Sequence, residues 1–158
     1  MTAPCPIHQA LLEALDDEYK ARATYAAVID RFGPVRPFVN IIQSEQRHIN
    51  ALQMLLRQRG LAIPADPYGG RVKAPDSLEQ ACALGVQAEV ENAALYDRLN
   101  RQAAQDAEVV AVFANLQQAS QENHLPAFRR GIDRGESSET GCGGGHGGGD
   151  GHRGGRCR

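Results

Sequence analysis

The chain has 158 residues, of which 42% are hydrophobic, 23% charged and 5% aromatic, and its formal net charge at pH 7 is −2. This length predicts one domain, or one domain with a tail. The absence of a basic excess argues against a nucleic-acid partner, and no apolar run approaches the roughly 20 residues that cross a bilayer. The scarcity of aromatic residues favours helices over a sheet. No charged-then-apolar leader opens the chain, so we expect no secretion signal and a cytoplasmic location.

The first half of the chain contains two amphipathic segments that predict a pair of helices. The first runs from about residue 7 to 32 and the second from 37 to 59, and in both the apolar residues recur at i, i+3 and i+4 spacing. Gly33 and Gly60 follow them as helix stops, because glycine readily adopts the left-handed conformation that ends many helices.

The second half repeats this plan after a linker over residues 60–76 that is rich in Pro and Gly. A third helix is predicted from 77 to 105, with Ser77 as its N-cap, and a fourth from 106 to 134. Pro126 lies inside the fourth helix and is expected to kink it by removing one backbone hydrogen bond. The pattern therefore predicts an all-α, antiparallel four-helix bundle.

The last 24 residues differ in composition from the rest, because 11 of the 17 glycines fall in residues 135–158. Such a segment has little to bury, so we predict a bundle over residues 1–134 and a disordered Gly-rich tail over 135–158. The tail also holds residue types that bind metals, in a spacing that fits no zinc finger. A plain tail is favoured over a weak metal-collecting arm. The residues concerned are Cys142, His146, Asp150, His152 and Cys157.

Polar residues interrupt the apolar stripes of all four predicted helices at matching heights. Burying a lone carboxylate costs much free energy, so a buried acid must be paired, protonated or bound to a cation. Three acids that meet in one core would repel one another, and a divalent metal ion removes that penalty. The interrupting residues are Glu18, Glu45, His48, Glu89 and His124.

The spacing Glu45-x-x-His48 places an oxygen and a nitrogen ligand on one face of a helix. A known plan for metal-binding bundles uses one Glu from each of two helices and one Glu-x-x-His from each of the other two. The fourth helix offers Gln121-x-x-His124 instead, and a neutral Gln121 cannot bridge two ions as a carboxylate does. We therefore expect one or two ions, with the second bound more weakly. Carboxylate with imidazole suits iron or manganese, and zinc also fits.

Tyr25 and Tyr96 follow Glu18 and Glu89 at the same offset, which favours core residues whose hydroxyl groups bond to the ligand carboxylates. A less interesting interpretation of the acids stays open, namely an ion pair with Arg22 or another buried cation. Glu91 is the alternative ligand if the third helix is rotated.

Two stretches, DEYKARATY at residues 17–25 and SEQRHINAL at residues 44–52, resemble the ferritin-like superfamily on its rubrerythrin side. The short first loop and the sequence NHLPAF at residues 123–128 look like an uncharacterised bacterial ferritin-like branch known only as a domain of unknown function. The resemblance covers about residues 7–132 and says nothing about the tail.

The resemblance implies a bundle that binds iron or a similar metal, and in relatives such a site supports ferrous oxidation, peroxide reduction or iron storage. It carries over by direct motif match to Glu18, Glu45, His48 and Glu89. The sequence departs from the family pattern at Gln121, where a full site would have Glu. This departure puts turnover in doubt more than it does metal binding.

Three functions follow as alternatives. The preferred one is a ferritin-like domain protein that binds a metal, with iron favoured, and the activity considered for it is that of an iron-dependent oxidoreductase acting on Fe(II), oxygen or peroxide. The second is a metal store or carrier without turnover, and the third is a metal-free interaction module. The expected partners are metal ions and oxygen or peroxide, with no nucleic acid and no membrane, and a homodimer is left open.

Overall fold

We describe the fold from a computed structural model in which residues 5–139 are defined, with side chains through residue 135. The predicted all-helical class is confirmed for this part of the chain, where no strand occurs. None of its helices is long and apolar enough to span a membrane. The helices are α1 (Pro6–Phe32), α2 (Phe38–Gln58), α3 (Leu78–Gln102), α4 (Ala107–Ala119) and α5 (Leu125–Glu139).

A π-helical stretch, Ser120–His124, joins α4 to α5 without a break, so the three form one long fourth helix. Its last described residue, Glu139, lies beyond the end at 134 that the sequence predicts. The rest of the predicted tail, residues 140–158, lies outside the described residues.

Glycine ends the first two helices, as the sequence predicts. Gly33 has φ 86° and follows α1, and Gly60 has φ 64° and follows the cap of α2. The Leu61 N–H then donates to the Leu56 carbonyl at 2.9 Å, a bond that closes the last turn of α2.

Side-chain caps begin the next two helices. The Ser77 hydroxyl accepts a hydrogen bond from the Gln80 N–H at 3.1 Å, which starts α3. The Asp106 carboxylate accepts one from the Val109 N–H at 3.1 Å, which starts α4. Each cap satisfies a backbone donor that has no partner inside its helix.

Hydrogen bonds between helices fix their relative directions. Gln53 donates to the Tyr19 hydroxyl at 2.9 Å, whereas Arg22, one turn further along α1, bonds Gln46 earlier in α2 at 2.5 Å. The first two helices are therefore antiparallel.

The third helix is antiparallel to α1 as well. Arg98, late in α3, bonds Glu13 early in α1 at 3.0 Å, and Asn92 bonds Asp17 at 2.8 Å. Because α2 and α3 both run against α1, they run in the same direction, and residues 59–77 must connect opposite ends of the bundle.

That long connection lies along α1 and is held there by side chains. Arg22 bonds Asp66 at 2.6 Å, and the Tyr68 hydroxyl donates to Asp16 at 2.8 Å. The linker is thus a tethered crossover along the bundle.

The buried apolar residues form two clusters, one toward each end of the bundle. In α2, α3 and the fourth helix, buried polar residues separate the members of one cluster from those of the other, and in α1 the buried Glu18 lies next to Tyr19, the last member of the first cluster on that helix. We call this set the polar layer, and its members are Glu18, Glu45, His48, Glu89, Asn92, Ser120 and His124.

Candidate metal centre

Five ionisable side chains meet in the polar layer, and none of them is more than 6% exposed. Their ligand atoms form two groups, within each of which all atoms lie within 4.8 Å of one another. We call Glu18, Glu45 and His48 the first triplet, and Glu45, Glu89 and His124 the second triplet. Glu45 belongs to both, and all four helices of the bundle contribute.

The first triplet joins α1 to α2. His48 Nδ1 lies 3.1 Å from Glu18 Oε2 and 3.1 Å from Glu45 Oε2. The other ring nitrogen, Nε2, lies 3.3 Å from the Ser44 hydroxyl one turn earlier in α2. Tyr96, on α3, donates a 2.6 Å hydrogen bond to Glu18 Oε1. Each member of the pair Glu18 and His48 is therefore held from behind by a hydroxyl group.

The second triplet joins α2, α3 and the fourth helix. His124 Nδ1 lies 3.2 Å from Glu45 Oε1 and 3.5 Å from Glu89 Oε1. Tyr25, on α1, donates a 2.9 Å hydrogen bond to Glu89 Oε1. The His48 and His124 rings stack with their centroids 5.6 Å apart, so the two triplets are side by side.

The two imidazoles are strong bases in this setting. Burial opposes a charge on His48, but its hydrogen bonds with Glu18 and Glu45 outweigh this and raise its pKa to about 10. Burial likewise opposes a charge on His124, and Glu45 and Glu89 raise its pKa to about 9. In the protein without a bound cation, both rings are therefore protonated at neutral pH.

The carboxyl groups of the first triplet titrate far apart. Burial, with the charge of Glu45 nearby, raises the pKa of Glu18 to about 8. Burial acts in the same direction on Glu45, but the neighbouring His124 and His48 imidazoles prevail and lower its pKa to about 2. Without a cation, Glu18 and the two imidazoles therefore carry protons at neutral pH, and a metal ion would have to displace the protons of its own ligands.

The donor set fits a divalent cation. Each triplet presents two carboxylates and one imidazole, which are ligands that iron, manganese and zinc accept. His124 Nδ1 is fully buried, and its contacts with Glu45 and Glu89, at 3.2 Å and 3.5 Å, lack the geometry of well-formed hydrogen bonds. A cation between the members of the second triplet would give this nitrogen a better-oriented partner.

The prediction that Gln121 faces this site does not match its position, because the Gln121 side chain is exposed. The reason is the π-helical turn, in which the Leu125 N–H bonds the Ser120 carbonyl five residues back. The wider turn brings Ser120 and His124, four residues apart, onto the buried side, so the α-helical i, i+3 rule fails here. The sequence predicts a kink at Pro126, and the irregular part of the fourth helix is this π-helical turn, which ends two residues before Pro126.

Two further residues of this layer were not assigned a role from the sequence. Asn92 is buried and donates a 2.8 Å hydrogen bond through Nδ2 to Asp17, the neighbour of a triplet member. Ser120 occupies the position four residues before His124, as Ser44 does before His48. That repeated Ser-x-x-x-His spacing was the available sequence signal for Ser120.

The open alternatives for the acids can now be compared with the structure. Arg22 bonds Gln46 and Asp66 rather than Glu18. Glu91 is exposed and accepts a hydrogen bond from Gln87 at 2.9 Å. Neither an Arg22 ion pair nor a rotated third helix describes this site.

Comparison with known proteins agrees with this fold. The family described as an uncharacterised protein domain, DUF2202, matches residues 8–140. Among solved structures, the chain is similar to the crystal structure of hypothetical protein MJ0754 from Methanococcus jannaschii DSM 2661, at 22% sequence identity and a TM-score of 0.72. The match covers 81% of this chain and 80% of that one, and it shows a shared fold. No curated protein matches the chain.

Proposed function

The chain belongs to the DUF2202 family, and we propose that it is an iron-binding, ferritin-like protein that acts on Fe(II) with oxygen or peroxide. The observation that supports this proposal is the position of Glu45 between two imidazoles. One of its oxygens lies 3.1 Å from His48 and the other 3.2 Å from His124. A carboxylate shared in this way can contact two cations at once.

The path of the chain supports the ferritin-like assignment. Ferritin-like bundles contain one long crossover connection, in contrast to bundles in which every neighbour is joined by a short loop. Here α2 and α3 run in the same direction, and residues 59–77 cross from one end to the other. Two Glu residues on separate helices, with Glu45 and His48 on another, follow the known metal-binding plan.

Each member of the two triplets has a distinct role in this proposal. Glu18 and His48 would hold one ion, and Glu89 and His124 would hold the other. Glu45 would contribute to both. Tyr96 and Tyr25 hold these carboxylates in place through their hydroxyl groups. Iron bound there would supply the one-electron exchange with oxygen or peroxide that no side chain of the layer can supply. The apolar clusters cover the layer on the sides that face the two ends of the bundle.

A metal store or carrier without turnover is the second candidate. The observation that favours it is the composition of the fourth helix, which contributes His124 but no carboxylate to the layer. Three acids then serve two positions, so a second ion is held less tightly and is released more readily. Manganese and zinc fit the same donors.

An anaerobic titration tests the proposal. The purified full chain is first analysed for bound iron, manganese and zinc, then stripped of metal and titrated with Fe(II) without oxygen. We expect uptake of about two ions per chain. The first ion should bind more tightly than the second, because only three carboxylates serve the two positions and one of them, Glu45, is shared. An oxygen pulse should then produce near-ultraviolet absorption characteristic of oxidised iron. Uptake without a response to oxygen would favour the store or carrier, and no uptake at all would overturn both.

A further inference from the structure

A cavity of about 80 Å³ lies between α1 and α3, and Glu45 of α2 also lines it. Its lining includes exposed Lys20 and Glu91 on the surface and buried Glu45 and Glu89 in the polar layer. The cavity therefore extends from the surface to the second triplet. An ion that binds the triplets must reach them from solvent. This cavity leads directly to two of the proposed ligands, Glu45 and Glu89.

Asn92 lines this cavity and has an unmet hydrogen-bonding need. It is 8% exposed, and its Nδ2 group is used by the bond to Asp17, which also lines the cavity. Its other polar atom, Oδ1, is buried and has no hydrogen-bond partner. A buried carbonyl oxygen without a partner costs free energy, and a donor or a cation that reached this atom from the cavity would remove that cost.

The charges around the cavity select for a cation. Its lining includes four acidic side chains, Asp17, Glu45, Glu89 and Glu91, against the single ammonium group of Lys20. Carboxylate and amide oxygens are the ligands that hard divalent cations prefer. A cleft lined by one sign of charge also concentrates ions of the opposite sign and speeds their association.

We propose that this cavity is the access route of the divalent cation, and that Asp17 and the Oδ1 atom of Asn92 hold the cation in transit to the triplets. The inference rests on the proposed metal centre and adds to it a route and a transient binding position. Neither residue belongs to a triplet. Their loss should therefore change how fast the centre fills rather than how much metal it finally holds.

The rate of Co(II) loading tests this proposal, because the visible absorption of Co(II) reports its arrival at nitrogen and oxygen ligands. The full chain is mixed with Co(II) at low ionic strength, and Asp17→Asn is compared with Asp16→Asn. Asp16 is an exposed acid on the same helix that does not line the cavity. We expect Asp17→Asn to load about tenfold more slowly with the same final absorbance, and Asp16→Asn to load as the natural chain does. Loading of Asp17→Asn at the natural rate would overturn the inference.

A second pair of variants gives an answer even if Asp17→Asn fails to fold. Ala88 is exposed and lines the cavity, so a substitution there leaves the core intact. Ala88→Lys places an ammonium group beside the route and should slow loading several-fold, whereas the neutral Ala88→Gln should not. Equal rates for the two variants would overturn the inference. If the natural chain loads Co(II) and the variants load equally fast, only the access route fails; if the natural chain takes up none, the metal centre fails with it.

Discussion

The hydroxyl of Tyr25 on α1 donates a 2.9 Å hydrogen bond to Glu89 on α3, so the bond crosses from one helix to another. Its counterpart crosses in the opposite direction, from Tyr96 on α3 to Glu18 on α1 at 2.6 Å. Each acid is thus held by the tyrosine of the other helix. The spacing between acid and tyrosine is the same on both helices, and the antiparallel packing turns that repeat into a reciprocal pair of bonds.

We predict that Tyr25→Phe and Tyr96→Phe each weaken metal binding by about 10-fold to 100-fold, because an unsupported carboxylate is less well oriented toward the ion. Each substitution should also cost the metal-free protein about 1 kcal/mol, the usual net contribution of one buried hydrogen bond. The measurements are Co(II) titration and urea unfolding.

Tyr19→Phe is the matched control for these two variants. Tyr19 is also buried, and its hydroxyl bonds Pro64 and Gln53, neither of which belongs to a triplet. It should lose stability without losing metal affinity. A loss of affinity equal to that of the other two variants would show that the tyrosines act through general stability alone.

The part of the site on α2 follows directly from the sequence. This helix is regular over Phe38–Gln58, so the three-residue spacing of Glu45 and His48 translates into one face of the helix. The apolar residues on either side of the pair define which face is buried. The same reasoning places Glu18 and Glu89 in the core, because α1 and α3 are also regular there.

Other features depend on information that a one-dimensional pattern does not contain. The π-helical turn changes the period of the fourth helix, so the face predicted for Gln121 is wrong while that of His124 is right. The parallel course of α2 and α3 depends on where the linker lies, which its length alone leaves open. The pairing of Asp17 with Asn92 needs two helices to be docked before it exists.

A close approach between α3 and α5 gives a prediction about stability. A Cβ atom added at Gly85 would lie 2.7 Å from the ring of Phe128, which is fully buried and packs 5.3 Å from the Tyr25 ring. We predict that Gly85→Ala destabilises the protein by about 1–3 kcal/mol through overpacking, although alanine is the better helix former. The measurement is the free energy of unfolding in urea.

Gly135→Ala serves as the comparison for that substitution. Gly135 is also helical, but an added Cβ there meets no atom within 4 Å. Gly135→Ala should therefore be neutral or stabilising, because it raises helix propensity without a clash. If Gly85→Ala were the more stable of the two variants, the prediction of overpacking would be wrong, because the Phe128 ring would then be able to move away from the added methyl group.

The protonation of the polar layer predicts how the stability of the metal-free protein depends on pH. The pKa values of His48 and His124 are raised from 6.5 to about 10 and 9, and that of Glu18 from 4.5 to about 8. Between the unfolded and folded values of each group, the folded state binds more protons than the unfolded state. The free energy of unfolding should therefore fall steadily from about pH 5 to pH 9. Urea unfolding of the stripped protein across this range measures it.

Metal affinity should depend on pH in the opposite sense to the stability of the metal-free protein. The ligands must lose their protons to bind an ion, so metal affinity rises with pH and uptake at pH 7 releases protons. An indicator dye in weak buffer detects that release during an anaerobic Fe(II) titration. Uptake without proton release would mean that the metal binds somewhere other than the two triplets.

Replacing the shared acid should have a larger effect than any other single change. Glu45→Gln removes a carboxylate from both triplets, so we expect it to abolish binding at both positions in a Co(II) titration. The metal-free protein should also be destabilised, because both imidazoles lose the charge that offsets theirs. Glu91→Gln, which changes an exposed acid on α3, should bind metal as the natural chain does. Equal metal binding by both variants would contradict the assignment of Glu45.

The fourth helix supplies a final prediction, about a residue that the family pattern would make a ligand. Gln121→Glu restores the Glu-x-x-His sequence with His124, yet the π-helical turn keeps position 121 on the exposed side. A carboxylate there is fully hydrated and too poorly placed to reach an ion in the second triplet. We therefore expect the stoichiometry and affinity of Co(II) binding to stay within about twofold of the natural chain, as expected for a surface substitution with an effect within ±0.5 kcal/mol. A tightened second position would instead show that metal binding straightens this turn into an α-helix and draws residue 121 into the polar layer.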